Sequence, residues 1–490
     1  MSKVNWWKRA SIGFLIFATA AIILPAQTAP ATATAAPTFT TLHSFAGTDG
    51  AGPTGSLLQA TNGNLYGTTP SGGANYCSVT QSPCGTIFSI TASGTLTTLH
   101  DFDGTDGEIL YGGLVLSSDG ELYGTTVYGG VDNRGTVFSI TPNGNLTTLH
   151  AFDGTDGSYP YGPLVQGTDG KLYGTTSEGG SGSCNFFGCG TVFSITTGGV
   201  LTILHNFQGA DGSDPFGGLI QGTDGKFYGT TYSGGPSGSD GTVFSITAGG
   251  TLTTLYDFCS QSNCTDGRGP YAGLIQGSDG KLYGTTVEGG TGPFPGTGSD
   301  CGTLFSITTG GVLTTLYNFH GADGNRPYGA LIQGTDGMFY GTTKQGGDDR
   351  NGGTIFSIAS TGALTTLHRF LVVDGENPYG GLIQDTNGTF YGTTAAGGAN
   401  LAGTVFSLSV GLGPFVETLP AFGKVGTPVH ILGTDLTGTT SVTFNGMAAT
   451  FTVVSKTSIF TNVPAGATTG TVQVVTPGGT LSSNVPFIVN

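Results

Sequence analysis

Four sets of residues able to do chemistry recur along this 490-residue chain at nearly constant spacing. The first is acidic: Asp49, Asp106, Asp156, Asp211, Asp266, Asp323 and Asp374, each followed by glycine. Turn aspartates commonly accept a bond from nearby backbone N–H, and that is the reading taken for them. Ca²⁺ is the competing use, but it collects six to eight oxygens, and carboxylates on separate units converge on one ion only near a shared axis. The second set is His43, His100, His150, His205 and His368, with Tyr256 and Tyr317 at the same place in two further copies. Imidazoles at a repeated position suggest a metal ring; tyrosine as the substitute fits packing better than ligation. The third set is aromatic: Tyr111, Tyr161, Phe216, Tyr271, Tyr328 and Tyr379, with Thr54 in the first copy. Tyrosine has an apolar face and a polar tip, so a ring of such residues suits sugar stacking or peptide binding, with packing between units as the alternative. The fourth set is three close cysteine pairs, Cys77 with Cys84, Cys184 with Cys189 and Cys259 with Cys264, which predict local disulfides and leave Cys301 over. Zinc is the weaker alternative, since thiolates on separate units make a poor tetrahedral cage.

Other chemistries are missing or weakly supported. The His-Glu-x-x-His and Gly-x-Ser-x-Gly patterns do not occur. A polysaccharide lyase or glycosidase remains the rival to a binding protein, and needs two carboxyl groups facing each other. Glu108, Glu178, Glu288 and Asp214, acids particular to single units, are the candidates. The formal charge is −16, which argues against a nucleic-acid partner, because phosphate binding needs clustered Lys and Arg. No organic cofactor is expected.

The elements that must hold these sets follow from the repeat. A Tyr-Gly-Thr-Thr core begins at Tyr66, Tyr123, Tyr173, Tyr228, Tyr283, Tyr340 and Tyr391, and a period of this size signals a propeller, solenoid or array. Each unit shows four short runs of alternating apolar residues bounded by turn residues, the mark of strands, here named a, b, c and d. In one unit they are Leu164–Gln166, Leu172–Thr176, Thr191–Ile195 and Leu201–Phe207. Asn-Gly or Asp-Gly joins a to b, which predicts type I′ hairpin turns with positive φ at two successive residues. Residues 40–45 read as a d strand with no unit of its own, and the last unit, ending at Leu408, has none. If the first strand completes the last sheet, the array closes and its edges vanish. The prediction is therefore a seven-bladed β-propeller over residues 37–410. With a innermost, the d–a and b–c loops share one face, where the unit lengths vary, and loops on a rigid scaffold commonly bind. The pattern stops at Leu412, and residues 411–490 read as a small β-sandwich of short strands separated by Gly and Pro turns.

Residues 1–36 read as a signal segment and linker. Lys3, Lys8 and Arg9 precede an apolar run from Ala10 to Leu24, shorter than the about 20 residues a membrane span needs, and small residues follow. With it removed, 11 cations face 30 acids, and no membrane partner is expected.

The recurring Gly-x-Leu/Phe-Tyr-Gly-Thr-Thr-x-x-Gly-Gly, Gly-Thr-Val-Phe-Ser-Ile and Leu-Thr-Thr-Leu-His-x-Phe motifs resemble the GloVer tandem repeat of bacterial surface or secreted "choice-of-anchor" proteins. Gly426–Gly433, Val442–Gly446 and Val463–Gly470 resemble an IPT/TIG domain, an immunoglobulin-like module. The resemblances imply an exported protein without an agreed activity; the one-sided loop variation and the aromatic set predict an extracellular polysaccharide or surface protein as its partner. Val485–Asn490 carries no apolar span or basic tail of the kind anchored members have.

Overall fold

Strands of two to seven residues dominate the computed structural model, which describes residues 36–77, 80–184, 187–236, 238, 240–292, 301–347 and 351–490. The predicted signal segment thus lies, but for its last residue, outside the described residues. Among these the architecture is all-β and propeller-like, with no α-helix and one short 3₁₀ turn, Ser262–Cys264. No helix among them is long and apolar enough to cross a membrane.

The repeats form four-stranded antiparallel sheets in the order a-b-c-d, seven among the described residues. In the third unit the strands are Val165–Gln166, Leu172–Thr176, Thr191–Ile195 and Leu201–Asn206. Strand a is thus shorter than the alternation suggested. The hairpin turns also differ from expectation. Gly170 has φ of +83° while Asp169 keeps negative φ, so these are not type I′ turns. The 170 N–H bonds to the Gly167 carbonyl at 2.8 Å and a left-handed glycine closes the loop, a tight turn followed by a bulge. The aspartate is held instead by its side chain: Asp169 accepts from the 171 N–H at 3.2 Å and from the Tyr173 hydroxyl at 2.8 Å.

The four residues of the repeated core have separate structural duties. The Tyr173 ring is buried and its hydroxyl anchors the turn. A Cβ on Gly174 would stand 2.7 Å from Phe193 and 2.8 Å from Leu164, so only glycine lets strands a and c close over b. Thr175 Oγ1 donates to the Pro215 and Gly217 carbonyls of the next unit, each at 3.2 Å. Thr176 Oγ1 pairs with Thr191 Oγ1 at 2.9 Å, joining b to c.

The first and last elements meet. Strand Thr38–Ser44 pairs antiparallel with Thr404–Ser409, and the sheet order runs from it through the last unit. The links seen between other units recur at this seam: Thr393 Oγ1 donates to the Gly55 carbonyl at 3.3 Å, the 386 N–H donates to Gln59 Oε1 at 3.1 Å, and Phe45 meets Phe88 edge-on at 5.3 Å.

Residues from 415 on build two four-stranded sheets around one apolar core that includes Val429, Ile431, Phe444, Ile459, Val472 and Phe487. They touch the repeats on the side of the a–b turns: Thr457 Oγ1 donates to the Thr61 carbonyl at 3.2 Å, and the 415 N–H donates to the Thr386 carbonyl at 3.0 Å. At the one strand-a position where Leu116 replaces the usual Gln, Leu419 packs against the same apolar cluster.

Candidate functional site

Each d–a loop ends in a three-residue device that sets an aromatic ring at the centre. Its first residue is left-handed: Ile109, Tyr159, Asp214, Arg326 and Asn377 have φ between +55° and +58°, and Gly52 and Gly269 fill the other two copies. Such φ is costly for side chains other than glycine, most of all for β-branched Ile109. Backbone bonds on both sides hold it: the 214 N–H donates to the Cys189 carbonyl at 3.3 Å, and the Asp214 carbonyl accepts from the 232 N–H at 3.0 Å. Proline comes next in six units. A Cβ on Gly190, before strand c of the preceding unit, would stand 2.9 Å from the Pro215 ring. The third residue is the aromatic, or Thr54. Glycines follow, and a Cβ at Gly217 would lie 2.7 Å from the Gly273 nitrogen, so neighbouring backbones nearly touch around the centre.

The six predicted rings come together. Tyr111 stacks on Tyr161 at 5.3 Å, Tyr161 meets Phe216 at 5.0 Å, Phe216 stacks on Tyr271 at 5.0 Å, Tyr271 meets Tyr328 at 4.8 Å and Tyr328 meets Tyr379 at 5.3 Å. They line one cavity of about 640 Å³ with the glycine backbones, and Thr54 stands in the gap between Tyr379 and Tyr111. The rings are half-buried, with Tyr111 the most open at 37%. Burial pushes the Tyr161 and Tyr271 hydroxyls well above the ordinary phenol range, so they stay protonated donors.

The candidate acids lie elsewhere, and no carboxylate is among the residues lining this cavity. Glu108 is wholly buried beside the Cys77–Cys84 disulfide and accepts from Thr80 Oγ1 at 3.1 Å. Glu288 is paired with Arg268 at 2.9 Å. Burial pushes the Glu178 and Asp214 carboxyls upward, and the charge of Asp214 adds to the rise at Glu178. The d–a and b–c loops that carry these residues do share a face, since Ser158 bridges to Glu178 and Arg268 to Glu288.

Two sets read separately in the sequence prove to be one. His43, His100, His150 and His205 each donate from Nε2 to the aspartate six residues on, at 2.6 to 2.8 Å, and Tyr256 and Tyr317 donate to Asp266 and Asp323. His368 lies 3.2 Å from Asp374. The aspartates also accept backbone N–H bonds, as Asp156 does from the 153 N–H at 3.0 Å. The offset of six, kept in every copy but Tyr256–Asp266, was the available signal. The disulfides join Cys77 to Cys84, Cys184 to Cys189 and Cys259 to Cys264, so these sulfurs are committed to one another; Cys301 is buried and is in none of the three. Sequence reasoning passed over Arg326 and Lys344. The Lys344 ammonium sits 4.6 Å from the centre of the Tyr379 ring and 5.2 Å from that of Tyr328. Their signal was position: one precedes the Pro-aromatic pair, the other follows the Tyr-Gly-Thr-Thr core.

Fold and site together define a repeat protein of four-stranded antiparallel blades with an aromatic-lined central cavity. The chain belongs to the Gloeobacter/Verrucomicrobia repeat family, whose model matches residues 29–187, 183–299 and 262–460. No curated protein matches the sequence. Among solved structures it is similar to a fungal alcohol oxidase of the AA5 family in complex with copper, at 15% identity and a TM-score of 0.47, over 92% of this chain and 98% of that one. It is also similar to the extracellular domain of a hybrid two-component system protein from B. thetaiotaomicron, at 11% identity and a TM-score of 0.49, over 93% of this chain and 58% of that one. A third is a gluconolactonase from Xanthomonas campestris, at 11% identity and a TM-score of 0.40, over 76% and 89%. No functional residue is carried over from them.

Proposed function

We propose that this is an exported, non-enzymatic binding protein, secreted or held at the cell surface. In this reading residues 37–410 are a seven-bladed β-propeller, residues 411–490 are an IPT/TIG-like immunoglobulin sandwich, and the propeller's mouth binds an extracellular polysaccharide. The observation that carries it is the arc of six aromatic rings around one cavity. Flat apolar faces with hydroxyl tips suit the C–H faces and hydroxyl edges of sugars. Three disulfides fit an oxidising compartment. The sandwich contacts the a–b turns, opposite the variable loops. Ca²⁺ at the turn aspartates is not needed, since histidine, tyrosine and backbone N–H groups already engage them.

Glycan-array binding by the wild-type protein, lost by roughly tenfold or more in Tyr161→Ala and Tyr328→Ala, supports the reading. Binding unchanged by both substitutions removes the aromatic mouth from it. The rival is a lyase or glycosidase using Glu178 and Asp214, favoured by their raised carboxyl pKa values. Release of reducing ends or unsaturated products from a polysaccharide panel, abolished in Asp214→Asn, decides for the enzyme.

A further inference from the structure

The charges around the mouth are not evenly spread. Excluding the first 36 residues, the chain has only 11 Lys and Arg, and four of those described are ion-paired. Lys171, Lys226 and Lys281 reach the aspartate of their own a–b turn at 4.0, 3.8 and 3.7 Å, and Arg268 is paired with Glu288. Arg326 and Lys344 make no ion pair with another described residue. They belong to one unit and are neighbours across the two loops, because the 344 N–H donates to the Arg326 carbonyl at 3.0 Å. The left-handed backbone at Arg326, φ +55°, starts the device that places Tyr328 two residues later. The Lys344 ammonium lies over Tyr328 and Tyr379. Burial raises the Tyr328 hydroxyl, and both cations pull against that rise, so both charges are felt at the ring.

We propose that the ligand of the mouth is a uronate-bearing polysaccharide, with a sugar ring on Tyr328 and Tyr379 and its carboxylate held by Arg326 and Lys344. This rests on the binding reading above and narrows it to one class of sugar. The guanidinium fork takes a carboxylate by two parallel N–H···O bonds, and the ammonium adds a point charge beside it. The geometry favours a sugar acid over a free carboxylate, because the Lys344 ammonium lies against the same two rings that would carry the sugar. Asp214 and Glu178, two and three units earlier in the chain, put like charge elsewhere around the same rim, and a polyanion is steered from them towards the cationic unit.

The test measures affinity for oligogalacturonate and for neutral oligogalactan by calorimetry at low and physiological salt. The wild-type protein is expected to prefer the acidic sugar, more so at low salt. The double variant Arg326→Gln, Lys344→Gln is expected to lower the acid-to-neutral affinity ratio by about tenfold to a hundredfold. Arg326→Lys keeps the charge and should retain part of the preference, separating charge recognition from misfolding. Lys171→Gln, on the a–b turn face, removes a charge from the whole protein and should leave the ratio as it was. Wild-type binding of both sugars with no acidic preference overturns the uronate assignment and leaves the polysaccharide reading standing. Failure to bind either sugar, or any other glycan, overturns both. Tight binding of an acidic peptide in place of both sugars, lost in the double variant, overturns the sugar and keeps only the cationic subsite.

Discussion

Phe45→Ala tests whether the repeats are sewn into a ring. Phe45 follows the strand Thr38–Ser44, is wholly buried, meets Phe88 edge-on at 5.3 Å and shares a core with Leu57, Leu65, Ile90 and Val405. Those partners come from the first unit and from the last, so the residue closes the seam. Removing a fully buried phenylalanine costs about 3–5 kcal/mol. For a unit running from Ala36 to Asn490, an unfolding entropy of about 2.1 cal/mol/K per residue gives about 1 kcal/mol per kelvin. The melting temperature should therefore fall by about 3–5 °C. Phe207, also fully buried and 5.4 Å from Phe244 of the next unit, is the internal standard. Scanning calorimetry of Phe45→Ala and Phe207→Ala should show similar losses. If the array were open between first and last units, Phe45 would cap an end, and its removal would fall within about 0.5 kcal/mol, as surface changes do. A large loss for Phe207→Ala beside none for Phe45→Ala would refute closure.

Three further outcomes follow from the same geometry. Thr175→Val deletes a buried hydroxyl serving two carbonyls of the next unit at constant shape, and should cost about 1–2 kcal/mol in urea titration. Gly170→Ala meets only the left-handed penalty of about 1–2 kcal/mol, since nothing lies within 4 Å, whereas Gly190→Ala also drives a Cβ to 2.3 Å from the Thr176 carbonyl and should cost clearly more in the same titration. His368 is stacked flat on Phe39 at 3.8 Å, and its burial lowers the imidazole pKa despite the nearby Asp374. A histidine that resists charging when folded loses the protein stability as pH falls below about 6.5, the unfolded value, until the folded pKa is passed. Melting curves between pH 7 and 5 should therefore fall less steeply for His368→Tyr, the residue used at this place in two other units; identical slopes would count against it.

Much of the architecture was legible because the repeat enforces it. Seven copies of the four-residue core fixed the strand order, and the surplus strand at residues 40–45 announced the pairing with the last unit. The turn geometry was not legible. Asp-Gly is compatible with several turns, and the choice fell to a side-chain bond from Tyr173 that a local reading does not weigh. The aromatic set was visible as a column in the sequence, but its arrangement around one cavity needed the glycine contacts between neighbouring backbones. The pairing of Arg326 with Lys344 was hidden for the same reason: their positions beside the repeat motifs were readable, but they lie 18 residues apart in the chain and adjoin through a backbone bond between loops.

The sequence by itself determined which residues alternate, where the chain turns and which positions demand glycine, because those are local constraints on φ and on side-chain size. The tertiary structure decided which side chains meet. His pairs with Asp six residues away because a bulge in strand d at Leu204, opposite the Val192–Phe193 step of strand c, brings the imidazole level with the loop. The six rings converge because the units are arrayed side by side, and convergence is a property of that array, which no single unit contains.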